Sequence, residues 1–393
     1  MFLYNTISKS PLLKTALAYF ASFISLGLAM MVIGPTLPAL AKQTGSTLAG
    51  ISIILAARSL GYLLGALIGG WLYDRRPGHP VMGTVLIITA AIMLMVPFLT
   101  KLWMLTLVIL IMGSAQSILD VGCNTLIIWL YGSKVGPFMN GLHFAFGLGA
   151  LVAPLIVAQS LLNTGLVNWA YWIMAGLVLL PAIILLRLPS PRIEKDIDVQ
   201  NGQPVRKSNA LVWLFALLFM FYVGCEATYA DWIYTYGIQS GLADETTAAY
   251  LTSAFFALFT LSRLMAIPLA ARFRPASILT VDLLGVIISM TVLSIWGDQV
   301  VVLWAGTLIF GISIASVFAT SFTLAEEQMH IGGRTTSIIF VGASTGGLLF
   351  PWLAGQLIDF IGPLSLMWLV LGCGLMMFGT FQLILRLGNH KTT

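Results

Sequence analysis

The chain is 393 residues long, 59% hydrophobic and only 8% charged, with a mean hydropathy of +0.98. That composition cannot cover a soluble domain of this size, so lipid is its solvent and soluble enzymes and binding modules are excluded. The net charge of +5 and pI near 9.1 do not point to nucleic acid, because the basic residues are scattered through short loops instead of forming one patch.

Twelve apolar stretches follow one another, at residues 14–40, 47–73, 79–99, 102–130, 137–162, 167–188, 209–237, 246–271, 275–296, 300–325, 334–360 and 364–387. Each is long enough to cross the hydrocarbon core as a helix, which satisfies its own backbone in lipid. The expected fold is an all-α, twelve-helix integral membrane bundle. With both termini on the cytoplasmic side, 15 of the 19 Lys and Arg residues fall in cytoplasmic segments. Lys42 and Lys101 fall outside, and Arg58 and Arg263 lie within spans. This asymmetry sets the expected orientation, in a plasma membrane or a bacterial inner membrane. The first stretch is too long for a signal-peptide core and lacks a clear small-residue cleavage site, so it is read as a span.

Span two carries Gly61, Gly65 and Gly69 at every fourth position, a face that lets another helix approach closely. Span four carries Gln116, Asp120 and Asn124 at i, i+4 and i+8, a single polar stripe on an apolar helix. A charged residue inside a membrane costs about 2.5 to 3.5 kcal/mol on insertion scales, so this stripe marks a cavity or a partner. Arg58 is the candidate partner of Asp120, as a fixed or gating charge pair. Span five opens with Asn140 and His143. After span six, the polar interval from Pro189 to Ser208 separates an N-terminal half, 1–188, from a C-terminal half, 209–393, with 189–208 as a cytoplasmic linker. Spans five and eleven align at a constant offset of 197, pairing Gly149 with Gly346, Pro154 with Pro351 and Gln159 with Gln356. Such internal similarity points to a duplicated six-helix unit, with a substrate site expected where the halves meet.

Span seven contains Glu226 among Tyr222, Tyr229 and Trp232. Arg263 and Asp282 each stand about two turns from the loop joining spans eight and nine, which makes them a candidate ion pair serving stability or gating. Glu326, Glu327 and Arg334, at the ends of spans ten and eleven, form a candidate gate network or a solvated helix end. Span eleven repeats the close-packing device with Gly342 and Gly346 and ends near Asp359. Cys123, Cys225 and Cys373 each lie inside a different apolar stretch and read as core thiols. There is no phosphate-binding loop, and His79, His143, His330 and His390 have no metal-ligand spacing. Neither an enzyme nor a bound cofactor or metal is expected.

Over essentially its full length the chain resembles the major facilitator superfamily. Topology carries most of the likeness, and Gly70-Trp71-Leu72-Tyr73-Asp74-Arg75-Arg76-Pro77-Gly78-His79 is similar to the family's Gly-x-x-x-Asp-Arg-x-Gly loop, with one extra residue before Gly78. The resemblance implies a monomer in which Asp74 and Arg75 help to hold a cytoplasmic gate. The matching loop of the second half, Ala271 to Pro275, keeps the basic residues and lacks the aspartate. Shorter stretches, Leu119 to Thr125, Asn140 to Phe144, Gly224 to Glu226 and Ala230 to Ile233, resemble the sugar-transporting branch of sodium-dependent glucose transporters and fucose-type symporters. They imply a hexose-like substrate moved with a cation.

The chemistry of the side chains suits such a solute. Gln116, Asn124, Asn140, His143 and Glu226 can pair with sugar hydroxyls, while Tyr229 and Trp232, with Tyr222, can cover an apolar ring face. Asp120 or Glu226 is the candidate cation-coupling group, for a proton or for sodium. Two alternatives stay open: proton-coupled efflux of amphipathic compounds, and a receptor-like member of the same fold that binds without transporting.

Overall fold

The computed structural model describes residues 11–191, 209–329 and 333–389. The charged part of the expected linker, 192–208, lies outside the described residues, as do His330 and His390. Among the described residues every regular element is helical, and twelve helices are long and apolar enough to cross a membrane. In chain order they are built from α1 (Pro11–Met31) with α2 (Ile33–Thr44), α3 (Leu48–Ile51) with α4 (Ile53–Tyr73), α5 (Gly78–Met95), α6 (Leu102–Tyr131), α7 (Gly136–Thr164) and α8 (Asn168–Arg187). The second half gives α9 (Asn209–Gln239), α10 (Glu245–Ala270), α11 (Pro275–Trp296), α12 (Val300–Ile314) with α13 (Val317–Gln328), α14 (Gly333–Phe360) and α15 (Ser365–Asn389).

Local chemistry explains where the helices stop. α1 and α2 are separated at Val32 because Pro35 has no N–H to offer the Met31 carbonyl. Gly45 closes α2 with φ of 64°, a left-handed conformation that glycine adopts without a Cβ clash. The Thr47 hydroxyl accepts the Gly50 N–H at 3.1 Å to start α3, and Asp244 Oδ1 accepts the Thr247 N–H at 2.7 Å to start α10.

The chain divides into two compact units, Met1–Gly45 with Ala57–Ile197, and Ser46–Ala56 with Asp198–Thr393. In the first unit α1 and α7 approach so closely that a Cβ on Gly149 would meet the backbone of Ile24 and Leu28. α4 and α6 do the same at Gly61 and Gly65, which face the backbone of Leu110 and Ser114, and the Ser114 hydroxyl donates to the Gly61 carbonyl at 2.9 Å. In the second unit Gly346 on α14 faces the Met220 backbone of α9. The sequence match of Gly149 with Gly346 is thus a match of packing: each is the close-approach residue of the corresponding helix pair.

The unit boundary differs from a break confined to the linker. The start of span two belongs to the second unit, where Gln356 Nε2 donates to the Ala49 carbonyl at 2.9 Å and to Ser52 Oγ at 3.2 Å. Asp359 Oδ2 accepts the Ala49 N–H at 3.4 Å. The first N–H groups of a helix have no partner within it, and this carboxylate supplies one.

Candidate functional site

In the first unit the polar stripe of α6 closes around one carboxylate. Asn124 Nδ2 donates to Asp120 Oδ1 at 2.8 Å and to the Asp120 carbonyl at 3.0 Å, as side chains one turn apart on a helix can. Tyr62 of α4 donates its hydroxyl to Asp120 Oδ2. On the same stretch of α6, Tyr73 of α4 donates to the Ile118 carbonyl at 2.9 Å, with its ring against Gly122. Among the described residues no lysine or arginine pairs with Asp120.

The expected contact from Arg58 to Asp120 is not formed. Arg58 is 5% exposed and donates from Nη1 to the Met30 carbonyl at 3.3 Å. Its backbone faces Gly113, about two turns of α6 before Asp120. Tyr62, four residues further along α4, occupies the place expected for the arginine. Gln116 is 1% exposed, and neither its Nε2 nor its Oε1 has a hydrogen-bond partner among the described residues. Asn140 and His143 sit one turn apart and exposed near the start of α7, with His143 edge-on to Phe23 at 6.0 Å between ring centroids.

The second unit holds a separate cluster. Glu226 of α9 interacts electrostatically with Arg263 of α10, and the buried Tyr222 hydroxyl lies near both without the geometry of a hydrogen bond to either. Arg263 also donates from Nε to the Ala315 carbonyl at 3.2 Å and stands over the Phe259 ring at 4.3 Å. The expected ion pair of Arg263 with Asp282 is absent. Asp282 accepts instead from the Ser316 hydroxyl. Equal depth in two neighbouring helices gave that expectation, but the helices turn the two side chains to different partners.

The two aromatic residues of α9 expected to cover a ring face are packed inside the second unit. Trp232 is 0% exposed and donates its Nε1–H to the Pro351 carbonyl at 2.8 Å. Tyr229 is equally buried, shares a hydrogen bond with Thr307 at 2.6 Å and packs on Phe310 with centroids 4.5 Å apart. Both rings are committed to packing, because residues 228–237 of α9 are buried on every side. Asp74 and Arg75 are exposed and form no ion pair among the described residues; Arg75 instead stacks over Trp71 at 4.7 Å. Glu326 is exposed and forms no ion pair among the described residues, and the Arg334 side chain lies outside the described set.

Two residues not singled out from the sequence stand at these sites. Tyr62 and Ser316 each bind a carboxylate on a neighbouring helix, a relation that spacing along one helix cannot reveal. His79 is fully buried, with Nε2 2.8 Å from the Tyr19 hydroxyl and Nδ1 3.0 Å from the Leu188 carbonyl. A carbonyl only accepts, so Nδ1 carries the proton and Nε2 accepts from Tyr19. The ring fastens α1 and the end of α8 to the start of α5.

Twelve apolar helices, a duplicated packing scheme and carboxylates within the spans define a multi-pass membrane transporter, not an enzyme. Residues 16–351 match the Major Facilitator Superfamily, and the chain belongs to that family of secondary transporters. It is 32% identical over 383 residues to the Sodium-dependent glucose transporter 1 of Danio rerio, covering 88% of this chain and 64% of that protein. The Homo sapiens Sodium-dependent glucose transporter 1 is 30% identical over 373 residues, covering 86% of this chain and 72% of the relative. The chain therefore spans less than two thirds of the length of the zebrafish relative. The crystal structure of the nucleoside transporter NupG superposes with a TM-score of 0.73 at 15% identity, over 96% of this chain and 99% of that one, a likeness of fold.

Proposed function

We propose that the protein moves a hexose-type sugar by alternating access between its two six-helix halves, coupled to a proton or sodium ion at Asp120. The observation that carries this reading is the Asp120 carboxylate, engaged by the Tyr62 hydroxyl and the Asn124 amide and, among the described residues, by no basic residue. Neutral donors leave its charge to be balanced by something that comes and goes, whereas Glu226 lies within electrostatic reach of the positive charge of Arg263. Coupling therefore belongs to Asp120, and Glu226 to the polar lining.

Gln116, Asn124, Asn140, His143 and Glu226 form the proposed sugar-binding set. The amide of Gln116, buried without a partner, is the kind of group a polyhydroxylated solute satisfies. Support for a hexose comes from the relatives called sodium-dependent glucose transporters. The orientation with both termini cytoplasmic and the monomeric state belong to the same proposal. A binding measurement tests the substrate class. Glucose, but not a nucleoside, raises the melting temperature of the purified protein in sodium or at low pH, since a ligand that binds only the folded state stabilises it. A shift with nucleosides and none with any hexose refutes the sugar assignment.

A further inference from the structure

Span ten is interrupted between α12 and α13, at Ala315 and Ser316, although no proline occurs from Val300 to Gln328. Breaks in helices have identifiable causes, and one of them is a side chain that intrudes on the carbonyl ladder. Two side chains do so here. Arg263 Nε takes the Ala315 carbonyl at 3.2 Å, and Ser262 Oγ takes the Ile312 carbonyl at 2.9 Å. Ser316, at the N-cap of α13, does not cap it; its hydroxyl goes to Asp282 of α11. The backbone at the break stays in the right-handed helical region, with φ and ψ of −64° and −39° at Ala315 and −92° and −10° at Ser316. Little rotation separates the interrupted helix from a continuous one.

We propose that Arg263 and Asp282 are positioning residues that hold span ten open at Ala315 and Ser316, one from α10 and one from α11. Two charges inside a membrane span are costly, and in this arrangement each is used on the break instead of on the other. The break separates two grips on α9. Above it, Thr307 and Phe310 of α12 hold Tyr229, and below it Phe318 of α13 packs on Tyr222 and Phe219 with centroids 5.8 and 5.1 Å apart. Glu226 lies between those grips in sequence and also engages Arg263. In this proposal the charge of Glu226 acts on the guanidinium that occupies the Ala315 carbonyl, and the break lets the two pieces of span ten move separately. This holds whatever solute is carried.

Hydrogen–deuterium exchange of the full-length protein in nanodiscs tests it. In Arg263→Met the Ala315 carbonyl becomes available to the Ala319 N–H, and exchange at residues 316–320 slows by about fivefold, the worth of one net hydrogen bond. Ser316→Ala removes a single hydroxyl and keeps every charge, so it folds and slows the same amides in the same direction. Asp282→Asn still accepts from Ser316 and leaves them as in the wild type. Unchanged exchange at these amides in Ser316→Ala, or a change spread evenly over the whole of span ten, overturns the proposal.

Discussion

The hydroxyl of Tyr62 donates to the carboxylate of Asp120, joining α4 to the polar stripe of α6. Asn124 completes the neutral shell, so Asp120 is a carboxylate inside a membrane span whose partners carry no compensating charge. Its energetics depend on whether a cation is present, the property a coupling site needs.

Tyr62→Phe removes one hydrogen bond to that carboxylate and little volume. Hydrogen bonds to charged groups are worth about 1.5 to 3 kcal/mol, so the apparent affinity for the coupling ion changes by at least about tenfold. Transport measured against sodium concentration and against pH identifies which ion is affected. An unchanged dependence on both shows that Tyr62 has no part in coupling.

Trp232→Phe acts on stability instead of recognition. It removes the indole hydrogen bond to the Pro351 carbonyl in a buried site and costs about 1 kcal/mol. The melting temperature falls, while the sugar concentration for half-maximal uptake stays within about twofold of the wild type, the scatter expected of a residue remote from ligand. A large rise in that concentration with normal stability restores Trp232 to the binding site.

Gly149→Ala and Gly346→Ala form a matched pair. Each adds a methyl where a neighbouring backbone stands, and overpacking of this kind costs about 1 to 3 kcal/mol. Similar losses in thermal stability at both positions are expected from the repeated packing. Tolerance at one position alone argues against its close approach.

Asp244 gives a pH dependence outside the spans. Hydrogen bonds from Thr247 hold its carboxyl below the usual carboxylate range. A depressed folded pKa means its contribution is complete above the unfolded value of about 3.9 and is lost as pH falls through the folded one. Asp244→Ala lowers stability at neutral pH by less than about 1 kcal/mol, because the cap is exposed and solvent screens it. The difference from wild type shrinks in melting curves taken below that range. A difference that grows on acidification contradicts the assignment.

Much of this molecule is legible in its sequence. Hydrocarbon thickness dictates the length of each span, so twelve helices follow from hydropathy. The pairing of Gly149 with Gly346 survives because close approach tolerates nothing larger. Asp120 and Asn124 are legible together because i and i+4 share a helix face. Tyr62 is not, since its link to Asp120 depends on which way α4 and α6 turn toward each other. The same missing information led Arg263 to be matched with Asp282. Depth along a span can be counted from a loop, but rotation about the helix axis is fixed only by packing.

The most direct test of Asp120 as the coupling site is uptake of labelled glucose into proteoliposomes under sodium and proton gradients imposed separately, with wild-type and Asp120→Asn proteins. Wild-type protein accumulates glucose under one gradient. The variant folds and exchanges glucose across the membrane but no longer accumulates it. Gradient-driven accumulation by Asp120→Asn equal to that of the wild type contradicts the account.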